Sequence, residues 1–142
     1  MNCCQFSTTT KEGVLMKLLI AALLAVFSTN VLAEWTRVGG NDTKTTYADL
    51  STIRKSGDRV KMWELLDFKV VQTVNGQRFL SSVIFAEYDC KEETSRVLAF
   101  NWYSKNIGAG EVVHNSGTLH GEPQPVSPVS IVNSLLKLAC GK

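Results

Sequence analysis

The chain has 142 residues, of which 44% are hydrophobic and 20% charged, with a formal net charge of +2 and four cysteines. That length holds one domain of ordinary globular composition. Charge this close to balance argues against a protein that works by neutralising nucleic-acid phosphates, which needs a concentrated basic face.

The first predicted element is a targeting segment. Met16-Lys17 is followed by ten apolar residues, Leu18 to Phe27, and then by a polar stretch that ends in Val31-Leu32-Ala33. A cation, an apolar run and small residues at the end form the three-part pattern of a secretory signal, with cleavage expected after Ala33. The run is well short of the roughly 20 residues that cross a bilayer. Signals place their positive residue near the initiator methionine, so translation is expected from Met16, leaving Cys3 and Cys4 outside the product. Residues 1–33 are thus read as an N-terminal extension and signal, and 34–142 as the mature domain. Glu34 stands at the first mature position, where a lipoprotein carries its lipidated cysteine. A product without a stable membrane anchor is expected.

From Glu34 onward the chain reads as short strands separated by turn residues. Glu34 to Val38 is a first strand, Gly39 to Asp42 a turn, and Thr43 to Tyr47 a second strand rich in β-branched residues. Ala48 to Ile53 reads as an irregular connection. After the turn at Lys55 to Asp58, a long third strand runs from Arg59 to Val74. Asn75-Gly76 then predicts a two-residue hairpin, because both central positions need positive φ and this pair tolerates it.

Extrapolating from Val74 opposite Gln77 places Phe68 beside Val83 and Leu66 beside Phe85 on one face, with Trp63 beside Tyr88 and Leu65 beside Ala86 on the other. The same register sets Glu64 opposite Glu87. A fifth strand is expected over Arg96 to Tyr103, and a sixth near Glu111 to His114 after Gly108-Ala109-Gly110.

Pro123, Pro125 and Pro128 are expected to break any strand. Ser127 as N-cap and Pro128 in the first turn predict a helix start. Ile131, Leu135 and Leu138 recur at helical spacing, Val132, Leu136 and Ala139 widen the stripe, and Gly141 ends it. The expected fold is α+β, an antiparallel sheet of about six strands with one amphipathic C-terminal helix packed on it. Cys90 and Cys140, the two cysteines of the mature chain, are expected to form a disulfide that staples this helix to strand four. They make no Cys-x-x-Cys redox or metal motif.

Candidate chemistry is sparse. His114 and His120 are the bases available near neutral pH, and with Glu111 or Glu122 they match no ligand spacing, so both read as exposed loop histidines. Glu87 and Asp89, two apart on a strand, share a side as an acid and base pair might, yet a structural role is favoured, with the Glu64–Glu87 site either at an exposed strand end or neutralised by Arg96 or a neighbouring lysine. Trp35, Trp63, Trp102 and Tyr103 suit either a groove or a core. No nucleotide fingerprint, cofactor motif or nucleophile arrangement is present, and no enzymatic activity is expected.

The order of features resembles the surface-adhesin protein E family of exported bacterial proteins. The matching pieces are Trp35-Thr36-Arg37-Val38, then Tyr47-Ala48-Asp49-Leu50-Ser51-Thr52-Ile53 with Gly57, and Val60 to Leu65 with Asp67. Ser81-Ser82, Glu87-Tyr88-Asp89-Cys90, Arg96, Tyr103-Ser104, Gly110 and Pro128-Val129-Ser130 follow, and Cys140 ends the series. The resemblance implies the same sheet, helix and disulfide. It also implies a non-enzymatic binding protein of the bacterial envelope, since the founding adhesin is a lipoprotein that binds host matrix and plasma proteins such as vitronectin and laminin. A soluble periplasmic accessory or inhibitor protein with a bacterial partner is the alternative, and an exposed edge strand leaves pairing into a homodimer open.

Overall fold

The computed structural model describes residues 34–142, so the expected secretory signal, the start at Met16, and Cys3 and Cys4 lie outside the described residues. Among the described residues seven strands run in chain order: β1 (Trp35–Gly40), β2 (Lys44–Ser56), β3 (Arg59–Val74), β4 (Gln77–Asp89), β5 (Thr94–Tyr103), β6 (Val112–Asn115) and β7 (Gln124–Pro125). A single described helix, α1 (Ile131–Cys140), follows them. β1 to β6 pair antiparallel with their sequence neighbours, and β7 pairs the far end of β5. The fold is α+β, as composition and turn chemistry predict.

Tight turns set this meander. Asn75 and Gly76 both have positive φ, 49° and 79°, which matches the right-handed twist of the flanking strands. The stretch read as an irregular connection is instead part of β2. There the register jumps from Asp49↔Trp63 to Arg54↔Lys61, and the slack is taken up locally. Buried Asp49 accepts hydrogen bonds from the Ser51 amide at 3.1 Å and the Ser51 hydroxyl at 2.6 Å. Thr52 Oγ1 then accepts the Trp63 amide at 3.1 Å, so a side chain stands in for a missing ladder partner.

The expected register of the β3–β4 hairpin holds only near its turn. Val74 faces Gln77, but a bulge between Asp67 and Gln72 moves the pairing by three residues, to Leu66↔Ser82, Leu65↔Val83, Trp63↔Phe85, Glu64↔Ile84 and Lys61↔Glu87. An odd shift exchanges which residues share a face. Glu64 and Glu87 are therefore on opposite sides of the sheet, and the expected pairs of Phe68 with Val83, Leu66 with Phe85, Trp63 with Tyr88 and Leu65 with Ala86 do not form.

One face carries Val60, Met62, Ala86 and Tyr88, buried with Ala48 against Leu135, Leu136 and Ala139 of α1. Leu138, expected in the stripe, is 38% exposed because the buried arc is centred near Ala139 and Leu138 falls beyond its edge. Ser130, not Ser127, caps the helix: its hydroxyl accepts the Asn133 amide at 3.2 Å, while Ser127 and Pro128 form the preceding turn. Gly141 ends α1 in the left-handed conformation, as expected. The Cys90–Cys140 disulfide joins the helix end to the residue after β4, with Cα atoms 5.7 Å apart. Pro125, expected to break any strand, belongs to β7, where it pairs Thr94 at the sheet edge and its missing N–H costs no interior bond.

Candidate functional site

Under α1 the helix-side face holds a half-open cavity of about 180 Å³, walled chiefly by Thr46, Leu66, Ile84, Ile131 and Val132. Glu64 projects from β3 into this hydrocarbon and is 6% exposed. Tyr88, fully enclosed on β4, donates its hydroxyl hydrogen to Glu64 Oε1. Burial pushes the Glu64 carboxyl up to about 7, against a smaller lowering by the Tyr88 hydrogen bond. The Tyr88 hydroxyl is pushed far above its ordinary value by its own burial and then by the neighbouring carboxylate. This pair can hold or release one proton near neutral pH.

The opposite face has different chemistry. Glu87, 7% exposed, receives Arg96 through Nη2 at 2.7 Å and Nε at 2.9 Å, both on Oε1. Arg59 Nη1 and Lys61 Nζ stand 3.7 Å from the same carboxylate. The register explains the gathering, because Arg54 pairs Lys61, Lys61 pairs Glu87 and Glu87 pairs Arg96 across four strands. A groove of about 400 Å³ opens here between Arg54, Lys55, Ser56, Arg59, Lys61 and Glu87. Asp89 lies in the next row, opposite Arg59. The Glu92 and Lys91 amides bonded to its carboxylate, helped by Arg59, hold it below the usual carboxylate range, the Glu92 bond most. One row inward, Trp63 and Phe85 stack with ring centroids 4.8 Å apart. Beyond them, the segment Ser104–Glu111 folds back over the sheet, tied to buried Ser81 and to Asp67.

Several residues singled out by sequence fall elsewhere. His114 is not an exposed loop residue: it sits on β6, half-buried, with its ring 4.5 Å from Trp102 and 5.5 Å from Phe100. His120 is exposed beside Glu122. Among the described residues, no three His, Cys, Asp or Glu side chains gather to hold a metal ion. Trp102 stacks on Phe79 at 4.3 Å, apart from the Trp63–Phe85 pair, so the tryptophans do not line one groove. Glu87 and Asp89 do share a side, and Arg96 and Lys61 neutralise Glu87 by itself, since the expected Glu64–Glu87 site does not form. What sequence reasoning missed is the Glu64–Tyr88 pair and the Arg54–Arg59–Lys61 groove. The signal for the first was Glu64 itself, an acid at an inward position among Val60, Met62 and Leu66.

The sequence profile of the family described as surface-adhesin protein E matches residues 35–141. The chain belongs to the surface-adhesin protein E family. Two solved structures of Haemophilus influenzae protein E resemble it at 13% identity. One gives a TM-score of 0.63 over 80% of this chain and 91% of its own, and the other 0.62 over 80% and 88%. At that identity the likeness speaks to the fold, and it places this family member's meander, helix and covered face within a known architecture. No curated protein matches the chain in sequence. No helix among the described residues of this family member is long and apolar enough to cross a membrane.

Proposed function

We propose that this member of the surface-adhesin protein E family is an exported, non-enzymatic binding protein of the bacterial envelope that engages a protein of the host matrix or plasma. The observation that carries the reading is the family match, which spans 35–141 and so takes in nearly all of the proposed mature domain. Residues 1–33 are the N-terminal extension and secretory signal in this reading, and 34–142 the adhesin E-like domain. The exposed open face with its cationic groove supports a binding role, since recognition here needs no cofactor and no reacting group.

The test is proteolysis of intact cells beside osmotic-shock release, with the mature chain followed by mass, and solid-phase binding to matrix proteins. Cleavage on intact cells with saturable binding supports the adhesin reading. Protection from protease, with release by shock, assigns the protein instead to the periplasm and to a bacterial partner, a reading that Glu34 at the first mature position favours.

A further inference from the structure

The chain's net charge is only +2, yet four of its cations gather on one face of the sheet. On the open face Arg54, Arg59, Lys61 and Arg96 stand in two adjoining rows with Glu87 and Asp89 as the acids of those rows. Arg96 alone makes close contact with Glu87, on one oxygen at 2.7 and 2.9 Å. Arg59 and Lys61 make no hydrogen bond to that carboxylate and remain 57% and 47% exposed at the side chain, with Arg59 Nε also 3.8 Å from Asp89 Oδ2. The Arg54 guanidinium, also exposed, donates through Nη1 to the Ser51 and Ile53 carbonyls at 2.9 Å, which fixes its stem and leaves the rest of its fork to the groove. Directly inward on the same face is the half-buried stack of Trp63 on Phe85.

From this juxtaposition we infer that the groove binds a sulfated glycosaminoglycan chain of the host matrix. Several anions around one sugar ring match cations set in two rows, about 7 Å apart along a strand. The apolar C–H face of the ring matches the negative face of an aromatic stack. An acidic peptide brings its carboxylates one per residue and lacks that combination. The inference rests on the surface reading and goes beyond it, since the partner it names is a matrix polysaccharide rather than a matrix or plasma protein.

The experiment uses the mature protein and a heparin-derived octasaccharide, with the desulfated octasaccharide and a single-stranded oligonucleotide of equal charge as comparisons, titrated calorimetrically at physiological salt. The expected result is saturable binding of the sulfated chain, weakened at least tenfold by desulfation and by Arg54→Ser/Arg59→Ser/Lys61→Ser at unchanged Tm. A second variant, Lys69→Ser/Arg78→Ser/Lys105→Ser, removes the same charge from exposed positions at the other end of the sheet and is expected to change affinity less than threefold. Absence of binding, equal loss in both variants, or equal affinity for the oligonucleotide overturns the inference. Binding by a protein that is protected on intact cells upholds the groove and defeats the surface reading instead.

Discussion

On the covered face of the sheet Glu64 is shut in with Tyr88 and hydrocarbon, and on the open face Glu87 is ringed by Arg96, Arg59 and Lys61. The two carboxyls are equally buried, at 6% and 7% exposed, so burial cannot be what separates them. Company is what separates them. A buried acid with one neutral donor is driven toward its protonated form, whereas a buried acid with a guanidinium on it is matched as an ion pair. The covered face is thereby a packing surface that tolerates one acid, and the open face is a charged surface whose acid anchors cations.

The largest expected effect breaks the covered face. Replacing Cys90 and Cys140 by alanine removes a link across 50 residues, worth about 4 kcal/mol in the chain-entropy model. For a domain of this size that lowers Tm by about 20 °C. A melting curve of the double variant that falls by less than about 5 °C would show that α1 stays docked without its staple.

Next comes Glu64→Gln, which sharpens the contrast between the two acids. The folded carboxyl titrates at about 7 against 4.5 for the ordinary group, so between those values the folded state holds a proton that the unfolded state has lost. Stability therefore falls as pH rises from about 4.5 through 7 and levels off above. The amide, neutral throughout, escapes the fall. The variant is expected to match the wild type near pH 4.5 and to exceed it by about 3 kcal/mol at pH 8, at about 1.4 kcal/mol per pKa unit. Equal denaturant midpoints at pH 8 would defeat the assignment.

On the open face, Arg96→Gln leaves buried Glu87 with cations no nearer than 3.7 Å and is expected to cost about 2 kcal/mol. In a Glu87→Gln background the same change is expected to cost under about 1 kcal/mol, because no charge is left uncompensated. A double-mutant cycle by urea unfolding reads the difference, and additive losses would mean that Arg96 acts through packing alone.

How much of this was legible beforehand follows the range of the signals. Asn75-Gly76, Gly141 and the helical spacing of Leu135, Leu136 and Ala139 act within a few residues of themselves, and each structural element they mark is present. The cysteine pair was legible because the expected mature domain holds two cysteines, which have one another as partners. The β4 neighbours of Glu64 were not legible, since the bulge between Asp67 and Gln72 takes up its residues in Phe68 to Val71, which read as ordinary strand. Once that count slips, every inward residue of β3 changes neighbours. The open-face groove was lost for the same reason: Arg54, Lys61, Glu87 and Arg96 come from four strands, and only the correct register sets them in one row.

The smallest expected effect is the most informative about that row. Arg59 and Lys61 stand 3.7 Å from Glu87 with side chains half in water, where the attraction between unit charges is about 1 kcal/mol before the entropy of holding a long side chain is counted. Arg59→Gln and Lys61→Gln are each expected to change stability by less than about 0.5 kcal/mol in urea unfolding. Losses as large as that of Arg96→Gln would make all three cations one buried network with no charge to offer outside. Near-zero losses beside a large one at Arg96 divide the cluster into a structural pair, Arg96 with Glu87, and two water-exposed cations, Lys61 and Arg59, the second of them also 3.8 Å from Asp89.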